Sequence, residues 1–278
     1  MIPAPFRHVI VDHLDHAIAA LAELGDDAKL MAGGQSLIPL MKLRLASPTV
    51  VLDLCRLSLG GIRLDGTELV IGAMTTYRDV ARSALVREHA PLLAAAAAVV
   101  GDPQVRNRGT IGGGLAHADP AGDVPCAVLA LGGALVVRGP EGERVVSADD
   151  FFVGYWTSAL GGAEVLVEVR IASRAGVGWD YQKFNIRSQD WATVAVAVSG
   201  SRVALASMAD RVIRATQTEQ ILLAGGSIDS AAEVADANTE PPADLRATAD
   251  YRRHLARVLS GDALRAAAKR GVVGKDVS

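Results

Sequence analysis

Hydrophobic and polar residues recur at helical spacing early in the chain, over His13–Leu24, where an amphipathic helix is predicted. Two short apolar runs, Ala28–Ala32 and Val50–Asp53, have the length and composition of strands. Between them, Ser36–Leu45 is predicted to be a second helix. Its early proline, Pro39, does not oppose this, because proline is tolerated near the start of a helix. The pattern therefore predicts a strand–loop–helix–strand unit in roughly the first 55 residues.

The middle of the chain predicts a second mixed unit. Gly61–Leu64 and Glu68–Gly72 are expected to form a hairpin, because Asp65-Gly66 between them is a strong turn dipeptide. Gly101–Asp123 is rich in glycine, aspartate and proline and is predicted to be one long loop, which in a compact domain is usually functional. The other predicted elements are helices over Tyr77–Ser83, Ala90–Val100 and Val124–Leu131 and strands over Ala134–Arg138, Arg144–Val146 and Val165–Ile171.

The pattern changes again around Ser173–Gly178, where a C-terminal part is expected to begin. Three apolar runs predict an antiparallel meander, and helical spacing predominates after them. The predicted strands are Trp179–Phe184, Thr193–Ser199 and Arg202–Ser207, and the predicted helices are Thr216–Leu223, Ile228–Ala237 and Ala249–Ala268.

Composition excludes several classes of protein. The net charge is −3 and 50% of the residues are hydrophobic, so neither a nucleic-acid-binding surface nor a disordered chain is indicated. The two cysteines, Cys55 and Cys126, cannot supply the four thiolates that an iron–sulfur cluster usually takes. The N-terminal residues lack the apolar run of an export signal, and together with reduced thiols this predicts a cytoplasmic location.

Two glycine-rich segments are the candidate cofactor-binding loops. The first consists of Ala32, Gly33, Gly34, Gln35, Ser36 and Leu37, and the second contains Thr110, Ile111, Gly112, Gly113 and Gly114. Without Cβ atoms, such turns let backbone N–H groups approach an anion closely, and a Ser36 hydroxyl can add a donor. Two converging loops could hold a pyrophosphate without Arg or Lys. The alternative is that each is only a tight connection.

Acidic residues follow the second loop. Asp119 and Asp123 could accept hydrogen bonds from ribose hydroxyls, or they could form Asx turns and helix caps before Val124. His117 has no second histidine at metal-binding spacing, so a structural or solvent-facing role is expected. The P-loop pattern is absent and the Rossmann spacing is not met, so neither common nucleotide-binding fold is predicted.

A polar and aromatic cluster lies between two of the predicted C-terminal strands. Lys183, Arg187, Asp190 and Trp191 belong to the segment KFNIRSQDW. A lysine near a flavin could stabilise its anionic reduced form and an indole could stack on the ring; the alternative is a surface turn with a core tryptophan. No Ser-His-Asp, H-E-x-x-H or paired-carboxylate pattern is present, so hydrolase and metalloprotease functions have no support and no catalytic or metal-binding residue is assigned.

Several ordered segments resemble a known family. AGGQSLIPLMKLRLASP, IGAMTTYRDV, GDPQVRNRGTIGGG and AHADPAGDVP are similar to the FAD-binding medium subunits of the molybdenum hydroxylases, the family of carbon monoxide dehydrogenase and of the xanthine dehydrogenase flavin domain. The resemblance covers nearly the whole chain. It implies an α+β fold with a vanillyl-alcohol-oxidase-type (PCMH-like) FAD domain at 1–173, divided into subdomains of about 1–58 and 59–173. A C-terminal domain at 174–278 would hold a three-stranded antiparallel sheet and a helical bundle.

The resemblance also implies roles for single residues. Both glycine loops would clasp the FAD pyrophosphate, Asp123 would contact the adenosine side, and Lys183 and Trp191 would lie near the flavin ring. Two departures from the family pattern are Gly114, where asparagine is most frequent, and Gln35, where histidine or asparagine is frequent. Each is expected to remove at most one hydrogen bond, worth about 0.5–1.5 kcal/mol.

Three functions follow as hypotheses. In the first, the chain is an electron-transfer subunit, with molybdopterin in a large partner subunit and [2Fe–2S] clusters in a small one, assembled as a dimer of heterotrimers. In the second, it is a stand-alone flavoenzyme, with His117 or Tyr181 as the base. In the third, it is a non-catalytic scaffold with a decayed FAD site. The substrate and the electron acceptor are not encoded in a recognisable motif.

Overall fold

The computed structural model describes residues 2–273. The first unit is a three-stranded parallel sheet flanked by helices, in the strand order β1-β3-β2. A strand that the hydrophobic pattern did not predict opens the chain, because three of its four residues are exposed. In chain order the elements are β1 (Arg7–Ile10), α1 (Leu14–Leu24), β2 (Ala28–Met31), α2 (Leu37–Lys42) and β3 (Val50–Asp53).

The second unit is built on a five-stranded antiparallel sheet in the order β4-β5-β10-β6-β7. Its strands are β4 (Ile62–Asp65), β5 (Glu68–Gly72), β6 (Ala134–Gly139), β7 (Gly142–Ser147) and β10 (Val165–Ala172), and a two-stranded ribbon is formed by β8 (Phe152–Gly154) and β9 (Thr157–Ser158). Its helices are α3 (Tyr77–Arg82), α4 (Ala84–His89), α5 (Pro91–Ala98), α6 (Pro103–Arg108), α7 (Ile111–His117), α8 (Asp123–Leu131) and α9 (Ala148–Phe151).

The predicted long loop over Gly101–Asp123 is wrong, because α6 and α7 lie within it. Both helices begin with a capping side chain: Asp102 accepts from the Val105 N–H, and Thr110 accepts from the Gly113 N–H. Glycine lowers the helix propensity of α7, so the sequence looks like a loop although its cap starts a helix.

The C-terminal part has a four-stranded antiparallel sheet in the order β11-β12-β13-β14. The two-residue β14 extends the three-stranded sheet that the sequence predicts. The elements are β11 (Trp179–Phe184), β12 (Val194–Ser199), β13 (Arg202–Ala206), β14 (Ile213–Arg214), α10 (Thr216–Leu223), α11 (Ile228–Glu233) and α12 (Ala249–Arg270).

Helix α8 joins the two larger sheets. All of its residues are buried, and its core cluster includes Ala195 and Ala197 of β12 as well as Leu135 of β6. The valines that alternate with those alanines, such as Val196, face the other core cluster, which includes Leu264 of α12. Small residues on one face of β12 therefore let α8 approach the sheet closely.

Candidate cofactor site

A cavity of about 790 Å³ lies where the three parts of the chain meet. Its volume is in the range of small-molecule and cofactor sites. Every predicted site residue except Ile111 lines it: Ala32, Gly33, Gly34, Gln35, Ser36, Leu37, Thr110, Gly112, Gly113, Gly114, Asp119, Asp123, Lys183, Asp190 and Trp191. Ile111 is instead fully buried in the core, because α7 turns its side chain away from the cavity.

The first loop, Ala32–Leu37, has free backbone donors. Within residues 2–273, none of the N–H groups from Gly33 to Leu37 donates a hydrogen bond to a protein acceptor. Ser36 is the N-cap residue of α2, and its hydroxyl makes no capping bond. Since buried or partly buried N–H groups are nearly always satisfied, a row of free ones beside a cavity indicates an anion site.

The second loop, Thr110–Gly114, has no free donors in its helical turn. The N–H groups of Ile111 and Gly112 donate to the carbonyls of Thr75 and Ala73 at 2.9 and 2.8 Å. Those of Gly113 and Gly114 donate to the Thr110 hydroxyl and carbonyl, each at 3.1 Å. Of the N–H groups of this loop, those from Ile111 to Gly114 are therefore already used by α7 and its neighbours, and within residues 2–273 the Thr110 N–H has no protein acceptor.

The two loops lie against each other. A Cβ on Gly33 would overlap the Arg108 carbonyl oxygen, which precedes the second loop. A Cβ on Gly113 would lie 3.6 Å from the Ala32 Cβ. Glycine at position 33 is thus required by the contact between the loops, which fixes the free donors of the first loop next to α7.

Asp123 is held by the C-terminal sheet. It is 4% exposed, and its two carboxylate oxygens accept from the Tyr181 hydroxyl at 2.6 Å and the Lys183 Nζ at 3.0 Å. Burial raises the pKa of the Asp123 carboxyl, while Lys183 and Tyr181 act against that shift. The carboxylate that was expected to meet adenosine therefore already fastens α8 to β11.

The sequence left open whether the other candidates contact a cofactor or have a structural role, and the structure gives different answers for Asp119, Trp191 and Arg187. Asp119 Oδ1 accepts from the Ala121 N–H at 2.8 Å, as in the Asx-turn alternative, although Asp119 also lines the cavity. Trp191 is 48% exposed and lines the cavity, so it is not a core residue. Arg187 does not line the cavity; its carbonyl accepts from Asn185 Nδ2 in a surface turn.

The sequence did not predict two aromatic residues of the cavity wall. Trp156 lies between β8 and β9 with φ +49°, and its ring stacks on His117 with centroids 6.3 Å apart. Burial lowers the pKa of His117, with Asp119 acting against the shift. Tyr77, at the start of α3, is 8% exposed and reaches the same cavity. Neither aromatic residue has a local sequence signal, because both are brought to the site by tertiary contacts.

Comparison with known proteins identifies the family. Residues 4–173 match the family described as FAD binding domain in molybdopterin dehydrogenase. The chain belongs to this flavoprotein family. Residues 179–267 match the CO dehydrogenase flavoprotein C-terminal domain. The chain is accordingly an oxidoreductase flavoprotein with FAD as its cofactor, and the α+β, PCMH-type fold expected from the resemblance is confirmed.

Similar members of this family include enzymes with different named substrates. The carbon monoxide dehydrogenase medium chain of Hydrogenophaga pseudoflava is 43% identical, covering 96% of this chain and 98% of the relative. The solved structure of that organism's carbon monoxide dehydrogenase lacking the Mo-pyranopterin moiety has a TM-score of 0.95, covering 98% and 100% of the two chains. Quinoline 2-oxidoreductase from Pseudomonas putida 86 has a TM-score of 0.90 at 32% identity, covering 97% and 99%.

The flavoprotein's own cavity fits FAD. Free N–H groups from Gly33 to Leu37 match the requirement of a pyrophosphate, and the cavity extends to the aromatic Trp191 at the C-terminal part. Among the helices of residues 2–273, none combines the length and apolar character needed to cross a membrane.

Proposed function

We propose that this chain is the FAD-binding electron-transfer subunit of a molybdenum hydroxylase complex. In this proposal electrons come from [2Fe–2S] clusters in a small partner subunit, which receive them from molybdopterin in a large one. The flavin supplies the redox chemistry when bound, and the protein supplies position and electrostatics. The observation that carries the proposal is the row of free N–H groups from Gly33 to Leu37 beside a cofactor-sized cavity in a chain of this family.

Each lining group has a proposed part. The first loop and the Ser36 hydroxyl donate to the pyrophosphate, and the second loop gives the first its support. Lys183 and Trp191 flank the flavin ring, as the family resemblance implies, and Asp190 lines the cavity beside them. The Lys183 Nζ lies 3.0 Å from the Asp123 Oδ2 and neutralises its charge. The cavity wall therefore carries an ion pair and not a lone buried carboxylate.

The partners follow from what this chain does not carry. Cys126 is buried and Cys55 is exposed, and two separate thiols do not make an iron–sulfur site. The medium-chain names of the relatives support an assembly with small and large subunits. A dimer of heterotrimers is proposed from the family resemblance alone, and the cytoplasmic location from the sequence alone. Within this chain, we propose an FAD-binding domain at 1–173, with subdomains of about 1–58 and 59–173, and a C-terminal domain at 174–278.

The alternatives from the sequence have less support. A stand-alone flavoenzyme needs its own base, but the Tyr181 hydroxyl donates to Asp123 and does not line the cavity. Burial lowers the pKa of His117, and its ring stacks on Trp156, which favours a wall position. A decayed scaffold has no reason to retain a row of free N–H donors at a cavity.

The test is to purify the chain with an affinity tag from its own host and to measure FAD, iron and molybdenum in each fraction. We expect FAD to remain with the separated chain, and iron and molybdenum to be found only with co-purifying subunits. A chain that binds no FAD after incubation with the cofactor would refute the site. A chain that binds FAD, has no metal-containing partner and turns over a reductant alone would favour the stand-alone enzyme.

A further inference from the structure

Tyr77 brings a phenol hydroxyl to the cavity without a protein partner. The residue is 8% exposed and lines the cavity, and its ring packs on Gly109, where an added Cβ would meet Cε2 at 3.0 Å. Within residues 2–273, the structure gives no hydrogen bond to the Tyr77 hydroxyl, although the backbone N–H of the same residue donates to the Gly109 carbonyl. A hydroxyl on the cavity wall without a protein partner is free to form a hydrogen bond with a ligand.

The hydroxyl occupies the space beside Gly114. A Cβ on residue 114 would overlap the Tyr77 hydroxyl oxygen and would lie 3.1 Å from Cζ of the ring. Any side chain at position 114 would therefore displace the phenol or be displaced by it. Gly114 and Tyr77 form a complementary pair, in which the missing side chain of one makes room for the hydroxyl of the other.

The surroundings of the phenol indicate which kind of group it meets. Burial and then the carboxylates of Asp123 and Asp119 raise the pKa of Tyr77, so the hydroxyl stays protonated and can both donate and accept. Nearby carboxylates repel a phosphate but accept hydrogen bonds from sugar-type hydroxyls. The Asp123 carboxylate that acts on Tyr77 also binds the Lys183 ammonium. Helix α7 lies against the first loop, where Gly113 approaches Ala32.

We propose that the Tyr77 hydroxyl binds the hydroxyl-bearing ribityl chain between the flavin ring and the pyrophosphate, and that Gly114 is required because it leaves room for this contact. The inference rests on the proposed FAD site and deepens it. The ribityl chain joins the pyrophosphate, which is assigned to the first loop, to the flavin ring, which is assigned to Lys183 and Trp191. Tyr77 packs on Gly109, which lies against Gly33 of the first loop, and it is close to Asp123, which binds Lys183.

The experiment titrates apoprotein with FAD by calorimetry for the wild type, Tyr77→Phe and the control Tyr251→Phe. Tyr251 is 44% exposed on α12 and does not line the cavity. We expect Tyr77→Phe to weaken FAD binding by about fivefold to tenfold, the effect of one hydrogen bond, without lowering the melting temperature of the apoprotein. Tyr251→Phe should leave the affinity unchanged.

Two ligand fragments identify the atom that is contacted. FMN carries the ring and the ribityl chain, and ADP carries the adenosine and the pyrophosphate. We expect Tyr77→Phe to weaken FMN by the same factor as FAD and to leave ADP unchanged. Loss of ADP affinity with unchanged FMN affinity would overturn the assignment to the ribityl chain.

A double-mutant cycle tests the pairing with Gly114. Gly114→Ala should weaken FAD binding and lower the apoprotein melting temperature, because the new methyl group overlaps the phenol oxygen. Adding Tyr77→Phe should restore part of the melting temperature without further loss of affinity, which independent sites would not do. Wild-type protein that binds FAD, with Tyr77→Phe binding every ligand equally well, would overturn this inference alone. Wild-type protein that binds no FAD would overturn it together with the proposed function.

Discussion

The first loop, Ala32–Leu37, and the second loop, Thr110–Gly114, have similar sequences and opposite hydrogen-bond states. In the first, consecutive N–H groups have no protein acceptor and face a cavity. In the second, the N–H groups from Ile111 to Gly114 are bonded to Ala73, Thr75 and Thr110. Gly33 is needed for the close contact with the Arg108 carbonyl that places the free donors of the first loop, whereas Gly112 in the second loop packs against Ala73 and leaves no free donor there.

This difference has a general physical basis. Glycine permits both an exposed turn of donors and a close approach of two backbones, because each needs the absence of a Cβ. A sequence motif cannot distinguish them, whereas the acceptors contributed by distant residues can. Substitutions in the first loop should therefore lower the affinity for FAD, and substitutions in the second loop should mainly lower the stability of the apoprotein.

The largest expected effect concerns the anchor that follows the second loop. Lys183→Met leaves the Asp123 carboxylate buried at 4% exposure without its cation, which should cost about 3–5 kcal/mol of the unfolding free energy. Urea unfolding of the apoprotein measures this. The control is Lys29→Met, beside the first loop, whose pair with Asp26 is exposed and should contribute at most about 1 kcal/mol. Equal losses of unfolding free energy in the two variants would contradict the structural role of the Asp123–Lys183 pair.

The next effect uses the same substitution in both loops. Gly112→Ala places a methyl group 2.5 Å from the Ala73 Cβ in a buried contact, which should lower the unfolding free energy by about 1–3 kcal/mol. A Cβ on Gly33 would overlap the Arg108 carbonyl oxygen, so Gly33→Ala must separate the two loops and misplace the donors of the first.

For Gly33→Ala we therefore expect about 10- to 100-fold weaker FAD binding together with a loss of about 1–3 kcal/mol of unfolding free energy, whereas Gly112→Ala should lose stability with a smaller change in affinity. Fluorescence titration and thermal unfolding of both variants separate the two outcomes. If Gly112→Ala loses affinity at full stability, or if Gly33→Ala keeps full affinity, the roles of the two loops are exchanged.

A smaller effect compares two hydroxyls. The Ser36 hydroxyl makes no capping bond, so Ser36→Ala should weaken FAD binding by about tenfold and leave the apoprotein melting temperature unchanged. The Thr110 hydroxyl accepts from the Gly113 N–H, so Thr110→Val should cost about 1 kcal/mol of stability. Calorimetric titration and urea unfolding of each variant are the measurements. A stability loss in Ser36→Ala, or an affinity loss at full stability in Thr110→Val, would contradict the prediction.

The cavity wall was largely predictable from the sequence, and its hydrogen-bond state was not. The strand–loop–helix arrangement around Gly33 was visible in the hydrophobic pattern, so the first loop was found with its neighbours. The helix α7 was missed because its glycines lower helix propensity, although Thr110 caps it. Whether an N–H group is free depends on acceptors such as the Thr75 carbonyl, which no local pattern reveals.

The same limit explains the aromatic residues. Gly114 was expected to cost a hydrogen bond because it lacks a side chain, but the Tyr77 phenol fills that space from another helix. Trp156 lies in a left-handed turn between two short strands, where tryptophan has no propensity that would predict it. The partners of both residues are far away in sequence, so composition and spacing carry no information about them.

The smallest expected effect is a pH dependence at the end of α7, beyond the second loop. Burial lowers the pKa of His117 below its value in the unfolded chain, which is about 6.5. As the pH falls through that value, the unfolded chain binds a proton that the folded chain does not. The unfolding free energy therefore decreases at acidic pH because of this histidine. In His117→Gln this loss is absent. The unfolding free energy of the wild type relative to the variant should therefore decrease between about pH 7.5 and about pH 5.

The control for this measurement is His16→Gln, because His16 is exposed on α1 and does not line the cavity. Urea unfolding of the apoprotein at both pH values is the readout, since a role confined to FAD binding would not move it. A profile for His117→Gln that runs parallel to the wild type would mean that the end of α7 belongs to the ligand-facing side of the site. The division between a donor loop and a packing loop would then hold only as far as Gly114.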